Sequence, residues 1–420
     1  MKHHHELYPM LSVEEALEQV LAMFHPLEAE HVPLLEALGR VLAEDIIAIG
    51  DIPPHANTAM DGYAMQAADL RNAGPESPKR LRVIENLAAG YLAAERVTPG
   101  TAIRIMTGAP LPEGADAVIP FEATQQDGEW VDCFAEMPLG ANIRPAGEDI
   151  HAGERPLTRG ARIRPQEVGM LAALGYGEVA VFRRPRVAVL ATGDELVAVN
   201  APLLPGKIRN SNSYSNAAQV LQYGGIPLML GIAQDTVNDL TAKIHAGLAQ
   251  GADLLITSGG VSVGDFDVVK KVLAAEGEIS FWRVRMKPGK PLAFGRITAE
   301  VNGAQRTVPV LGMPGNPVST MVSFELFARP AILTMLGLTD IHKPTFEAIL
   351  DQEIPRKDAR RHYVRVHITR GADGLHATPT GDQGSGILSS MVRANGLAII
   401  PEEWTHAPAG ARVQAFLFEQ

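Results

Sequence analysis

Apolar positions recur at helical spacing near the start of the chain, where Val13, Ala16, Leu17, Val20, Leu21 and Phe24 fall on one face. Ser12 and Glu15 precede them as a capping box, so a first amphipathic helix is predicted here. The spacing from Leu34 to about Ile46 predicts a second helical segment, which runs into Asp51-Ile52-Pro53-Pro54-His55, where two prolines stop any helix. From there to about Gly160 the chain is rich in Gly and Pro with short β-branched runs, Leu81 to Ile84 and Ala117 to Pro120 among them, which predicts a small β-rich domain.

Between about Arg186 and Gly337 short apolar runs alternate with helical stretches, the signature of a parallel sheet with crossover helices. Val187 to Ala191, Pro227 to Ile232, Asp253 to Thr257 and Val308 to Leu311 read as buried strands. Asn212 to Tyr223, Thr236 to Ala249, Phe266 to Ala275 and Pro317 to Leu336 read as helices. Gly224-Gly225 sits where a C-terminal cap belongs, and Pro317 at a first helical turn, where its missing N–H costs little. After Lys343 short alternating runs return, Tyr363 to Ile368 and Ala398 to Pro401, and predict a separate C-terminal β domain.

Composition bounds what these elements serve. At 420 residues the chain exceeds the size at which one core stops growing, so two to four domains are expected. No apolar run approaches membrane-spanning length. The single cysteine, Cys133, excludes an intrachain disulfide and a cysteine-based zinc site, and the N-terminus lacks the pattern of a secretory signal, so a cytoplasmic protein is expected. His3, His4 and His5 are given no role. A net charge of −11 argues against a nonspecific nucleic-acid binder, and an anionic ligand would need a local basic pocket. One stretch supplies it: Trp282 to Lys290 gathers Arg283, Arg285, Lys287 and Lys290 and ends in Pro and Gly. The alternation of Arg283, Arg285 and Lys287 equally describes the wet face of an ordinary strand.

In open α/β sheets ligands bind beyond the carboxyl ends of the strands. Here the first strand is followed by Thr192-Gly193-Asp194-Glu195 and the next by Asp235. The third runs into Ser258-Gly259-Gly260-Val261-Ser262-Val263-Gly264-Asp265-Phe266-Asp267, and the last into Gly312-Met313-Pro314-Gly315-Asn316-Pro317. The loop from Ser258 to Gly264 joins a strand to a helix, so its backbone N–H groups can cradle a phosphate, although such turns also serve tight packing. Glu195, Asp235 and Asp267 would repel one another and a phosphate unless a divalent cation joined them, which suits Mg2+; any one of them alone could be a helix cap. Asn57 to Ala64, Arg104 to Ala109 and Gly147 to Ile150 read from the residues alone as ordinary turns.

Taken in order, Asn57 to Ala64, Arg104 to Ala109, Gly147 to Ile150, Thr192 to Leu196, Ser258 to Asp267, Lys287 to Pro291 and Gly312 to Pro317 resemble the successive motifs of the molybdopterin molybdenumtransferases, the MoeA and gephyrin E-domain family. The resemblance runs nearly end to end. It implies a multidomain α/β plus β chain: a central three-layer α/β/α molybdopterin-binding-like domain, β-rich flanking domains and a C-terminal β-barrel-like domain. The expected division is 1–27 as an N-terminal helix packing on the central domain, 28–50 with 152–180 as a helical linker domain, 51–151 as the β-rich domain, 181–338 as the α/β domain and 339–420 as the C-terminal domain.

The resemblance further implies an elongated homodimer with the site between subunits, and a reaction in which adenylylated molybdopterin and molybdate give molybdenum cofactor with Mg2+-dependent release of AMP. Contact with the adenylyltransferase that makes the activated pterin is implied as well. Glu195 and Asp267 are similar to the acids that hold the metal, and Asp235 to a further acid. Lys287 and Lys290 resemble the cations that receive molybdate, helped by Ser385 and by Arg360 or Arg365. The stretch Arg360 to Arg365 lacks the acidic residue expected beside its aromatic. Ser258, Gly259, Gly260, Ser262, Gly264, Pro314, Asn316 and Pro317 resemble the pterin and phosphate contacts. Asp61, Thr107 and Asp149 resemble positions that complete the site from the partner subunit. Two other readings remain: an adenylyltransferase sharing the central fold, which the flanking domains disfavour, and a scaffold like the receptor-clustering relatives, which carry a long linker not found here.

Overall fold

A computed structural model describes residues 10–259, 272, 277–301, 303–356 and 358–419. The chain divides into two compact units, one formed by residues 1–31, 39–43 and 180–420 and the other by 32–38 and 44–179.

The larger unit is built on a seven-stranded sheet, in the order Met10–Leu11, Gly277–Val284, Pro291–Val301, Ala304–Met313, Leu254–Ser258, Arg186–Thr192, Ile226–Ala233. The last four are mutually parallel, as predicted; the apolar runs of the inner strands Leu254–Ser258 and Arg186–Thr192 reflect burial on both faces, whereas Ile226–Ala233 at the sheet edge is half-buried or exposed over most of its length. Side chains alternate between two cores. Val187, Leu254, Ile256 and Leu311 face one side, where they meet the helices Val13–Leu21, Asn212–Gln222, Pro317–Ser323 and Arg329–Met335. Ala188, Leu190, Leu255 and Val310 face the other, against Leu240, Ile244 and Leu248 of the helix Val237–Ala249. The result is the expected three-layer α/β/α arrangement.

Ser12 and Glu15 make the predicted capping box, and Val13, Ala16, Val20 and Phe24 enter the first core. The predicted helix from Pro317 to Leu336 is helical throughout but passes through a π turn at Phe324–Ala328, immediately before Pro330, whose ring nitrogen cannot donate to the preceding turn. The predicted strand at Val308 to Leu311 is longer than expected: Ala304–Met313 forms a hairpin with Pro291–Val301, adding two antiparallel pairings that apolar runs alone did not show. Apart from Val272, which is buried in the second core, the predicted helix at Phe266 to Ala275 lies outside the described residues.

In the same unit Phe346–Leu350, Arg361–Arg370, Leu375–Pro379, Gly396–Ile400 and Arg412–Leu417 close into a barrel, because Arg361–Arg370 pairs with both Leu375–Pro379 and Gly396–Ile400. A two-residue strand, Met286–Lys287, adds to the barrel at Arg361 and His362.

The smaller unit carries a six-stranded sheet, in the order Ala117–Pro120, Gly62–Met65, Thr101–Ile105, Lys79–Leu87, Trp130–Cys133, Thr124–Asp127. It also holds a helix, Pro165–Ala173. The helix predicted from Leu34 to Ile46 is not formed: only Leu34–Ala37 makes a single 3-10 turn. Gly39 then turns the chain at a φ of +78°, and Leu42 and Ile46 enter extended bridges with Val181 and Leu157. Tertiary pairing overrides the helical spacing there. Among the described residues, no helix is long and apolar enough to cross a membrane.

Candidate active site

The carboxyl ends of three central strands are level with one another: Ala191 is in register with Ser258, and Ser258 with Met313. The hydroxyls of Thr192, Thr257 and Ser258 are buried at this edge with no hydrogen-bond partner among the described residues, their residues being 4%, 0% and 2% exposed. An unpaired buried hydroxyl costs about 1–3 kcal/mol, so these strand ends carry polar groups that a polar ligand would satisfy, Thr192 and Thr257 on one face of the sheet and Ser258 on the other.

Gly259 follows with a φ of +94°, and its N–H donates to the Met313 carbonyl at 3.1 Å. A Cβ there would lie 2.6 Å from the Thr192 carbonyl oxygen, so only glycine fits. Gly315 comes close to the Gly259 backbone, and its carbonyl accepts from Asn212 Nδ2 at 2.7 Å. Pro314 is buried at this turn, and Pro317 opens the next helix as predicted. Asn316 occupies the N-cap without a side-chain capping bond; its amide donates instead to Ser385 Oγ at 2.8 Å. The carbonyl of Ser385 accepts the Val318 N–H at 3.1 Å, so a barrel loop is stitched to the sheet edge at two points.

Glu195 folds back over Gly193, where a Cβ would meet both carboxylate oxygens at 2.5 and 2.6 Å. Asp235 is joined to the same edge through its N–H, which donates to Asp194 Oδ1 at 3.3 Å. Gly260, Ser262, Gly264 and Asp267 lie outside the described residues.

The cationic stretch passes from the end of the strand Gly277–Val284 through Arg285 into the strand Met286–Lys287, and alternation along it separates buried Trp282, Val284 and Met286 from half-exposed Arg283, Arg285 and Lys287. That face is not simply wet. Arg285 pairs with Glu402 at 3.3 Å, and Lys287 Nζ stands 4.0 Å from Asp358 Oδ2. Arg360 holds the same carboxylate by two donors, Nη2 to Oδ2 at 2.7 Å and Nε to Oδ1 at 3.1 Å, and His362 Nε2 lies 3.0 Å from Oδ1. The Arg360 guanidinium holds the Asp358 carboxyl far below the usual carboxylate range, while burial pushes His362 below its ordinary value. Lys290 is half-exposed at the end of the stretch, its carbonyl accepting the Val284 N–H at 2.8 Å.

Arg365 differs from Arg360. It is 1% exposed, and its guanidinium donates to Ser390 Oγ at 2.9 Å and to the carbonyls of Gln383, Asp382 and Gly384 at 3.1, 3.1 and 2.9 Å. Burial pushes its pKa down to about 10. It therefore builds the loop that carries Ser385, while Arg360 is the arginine whose guanidinium shares the Asp358 carboxylate with Lys287. Lys287, Pro288, His362, Arg365, Gly381 and Gln383 contribute to the wall of a cavity of about 290 Å³. Asp358 and His362 were missed in the sequence. Asp358 supplies the carboxylate that the Arg360 to Arg365 stretch lacks, but from a position before Arg360, where no motif marks it.

In the smaller unit two motifs that read as ordinary turns meet. Asp61 Oδ1 accepts both the N–H and the hydroxyl of Thr107, each at 2.7 Å, and these two bonds lower the Asp61 pKa. Thr58 ties the same loops together: its N–H donates to Ala109 and its carbonyl accepts from Gly108. Gly62 is required by the sheet, since a Cβ would lie 2.0 Å from the Ile119 carbonyl oxygen. Asp149 is exposed on a turn whose backbone is fixed to Ile52.

Three family models match the chain: the MoeA N-terminal region, domains I and II, over residues 11–175; a probable molybdopterin binding domain over 188–334; and the MoeA C-terminal region, domain IV, over 347–418. Molybdopterin molybdenumtransferase 2 of Mycobacterium tuberculosis is 37% identical, with 97% of this chain and 99% of that protein covered. The molybdopterin molybdenumtransferase of Bacillus subtilis is also 37% identical, with 98% and 94% covered. A crystal structure of the molybdopterin biosynthesis MoeA protein from Pyrococcus horikoshii superposes with a TM-score of 0.84 at 32% identity, over 98% of this chain and 100% of that one. Matched from end to end in sequence and in fold, this chain belongs to the MoeA family of molybdenum cofactor biosynthesis, whose curated members are molybdopterin molybdenumtransferases.

Proposed function

We propose that this chain takes adenylylated molybdopterin and molybdate, transfers molybdenum to the dithiolene sulfurs of the pterin and releases AMP. It works in the cytoplasm as a homodimer, with Asp61, Thr107 and Asp149 of the second protomer completing the site, and draws its activated pterin from an adenylyltransferase it contacts. One observation carries the reading: a sheet edge with unpartnered buried hydroxyls is stitched through Ser385 and Asn316 to the barrel that carries the Lys287 and Arg360 cations.

The edge serves the diphosphate. Thr192 and Ser258 offer hydroxyl donors there, and the turns at Gly259 and from Pro314 to Pro317 let backbone approach the phosphates closely, with Gly260, Ser262 and Gly264 as the further phosphate contacts this reading assigns. Lys287, Lys290, Arg360 and Ser385 take the tetrahedral dianion, with guanidinium and ammonium donors matched to its oxygens. Arg365 acts one step back, by holding the Ser385 loop. The donor set at the edge, the Glu195 carboxylate on the turn that follows the unpartnered Thr192 hydroxyl, consists of hard oxygen ligands and suits Mg2+, which Glu195 and Asp267 would hold with Asp235 nearby. When bound, that ion neutralises charge on the diphosphate oxygens. The protein residues contribute position and charge, and none acts as a covalent nucleophile.

The test is AMP release from adenylylated molybdopterin in the presence of Mg2+, with and without molybdate, coupled to activation of an apo-molybdoenzyme. Molybdate-dependent release with activation is expected. Tight pterin binding with no AMP formed would refute the assignment.

A further inference from the structure

The cations assigned above to molybdate already hold an anion. Arg360 turns the Nε and Nη2 edge of its guanidinium onto both oxygens of Asp358, at 3.1 and 2.7 Å. Its remaining nitrogen, Nη1, reaches the Met286 carbonyl at 3.5 Å. His362 Nε2 lies 3.0 Å from Asp358 Oδ1, and Lys287 Nζ 4.0 Å from Oδ2. The Arg360 N–H also points to Oδ1, at 3.2 Å. One carboxylate thus gathers Lys287 and His362 from two strands of the barrel wall and Arg360 from the turn just before the second of them.

A guanidinium edge offers two parallel donors, and a carboxylate and a face of an oxyanion compete for that same edge. The Arg360 edge cannot hold both. We propose that Asp358 is the built-in counter-anion of the oxyanion subsite: its carboxylate stands where oxygens of the incoming dianion bind, and it leaves the Arg360 edge when the dianion enters. Its side chain is 28% exposed, so it has water to move into. The inference rests on the assignment of molybdate to Lys287 and Arg360. It adds a source of selectivity. Breaking the Asp358 contacts costs every ligand the same, and a dianion offsets that cost far better than a monoanion does, so Asp358 biases the subsite toward dianions.

Molybdate and nitrate binding to the full chain, measured by calorimetry for the wild type, Asp358→Asn and Asp358→Glu, tests this. Losing two charge-assisted hydrogen bonds at a partly exposed site corresponds to about one factor of ten, so Asp358→Asn binds molybdate roughly ten-fold tighter. Nitrate competes measurably only in that variant, and Asp358→Glu returns toward wild type. A gain in affinity is not what a structural lesion produces. Equal or weaker molybdate binding by Asp358→Asn overturns the proposal and makes Asp358 a residue that orients Arg360. Absence of molybdate binding by the wild type overturns the site assignment itself, and the inference with it. The wild type gives a check independent of any variant: molybdate should speed hydrogen exchange of the Arg360 amide as its acceptor leaves, and slower exchange counts against displacement.

Discussion

Replacing Arg365 by methionine keeps the volume of a buried side chain and deletes its four hydrogen bonds, to Ser390 Oγ and to the carbonyls of Asp382, Gln383 and Gly384. Each bond joins a charged donor to a neutral acceptor, a class worth about 1.5–3 kcal/mol. The sum overstates the loss, because the three carbonyls belong to one loop and regain water when it opens. Removal of the desolvated charge, whose burial already pushes the Arg365 pKa down to about 10, offsets part of it as well. A net loss of about 3 kcal/mol follows, within the range for breaking a buried charged network. Two multidomain units do not unfold as one transition, so the loss is better read locally than from a single melting temperature. In native-state hydrogen exchange, about 3 kcal/mol corresponds to roughly a hundred-fold loss of protection, confined to amides whose opening releases the loop. The Thr380 amide, which donates to the Arg365 carbonyl, and that of Val318, which donates to Ser385, report on its two sides. Molybdate affinity falls with the loop while wild-type contacts at Arg360 remain. Wild-type protection at Thr380 and Val318 in a folded Arg365→Met variant would show that the loop holds itself, and the positioning role would be wrong.

Gly259→Ala places a Cβ 2.6 Å from the Thr192 carbonyl oxygen at a φ of +94°, a backbone conformation that costs a non-glycine residue about 1–3 kcal/mol. The strain falls on the strand-end turns, so the variant should stay folded by circular dichroism and lose affinity for the adenylylated pterin; near-native affinity in a titration refutes the cradle. Thr107→Val removes the hydroxyl, one of the two bonds that lower the Asp61 pKa, so the carboxyl titrates closer to its ordinary value in a carboxyl NMR titration. By sign, the depressed folded value makes the Asp61 contribution to stability present above the unfolded pKa and lost as pH falls through the folded one; an unchanged titration in the variant would show that the hydroxyl bond has no part in the shift.

What the chain discloses in advance follows the range of the forces involved. Runs such as Val187 to Ala191 and Asp253 to Thr257 were readable because strands buried on both faces are apolar nearly throughout, and Ser12 and Thr236 mark helix starts through bonds made within one turn, as Pro317 does by needing none. The first failure, at Leu34 to Ile46, has a physical cause. Helical spacing describes which residues are apolar, but Leu42 and Ile46 bury themselves in bridges to distant strands, and Gly39 lets the chain turn to reach them. The site divides in the same way. Gly259 and Pro317 answer to local backbone needs and could be picked out by eye. Asp358 could not, because its role depends on the pairing of Met286 and Lys287 with Arg361 and His362, a register fixed by closure of the barrel and by no periodicity in either segment. Ser385 and Arg365 are distinguished from neighbouring polar residues only by what the barrel sets beside them. A guanidinium two positions from Tyr363 becomes a loop brace because it is buried within its strand, while Arg360, just before the strand, keeps its donors on Asp358, the carboxylate that Lys287 also approaches. The difference between a residue that builds the site and one that binds the ligand is therefore set here by placement: Arg365 lies inside the strand Arg361–Arg370, buried against the loop it braces, whereas Arg360 precedes that strand and meets Asp358, and the same arginine side chain acquires a different function.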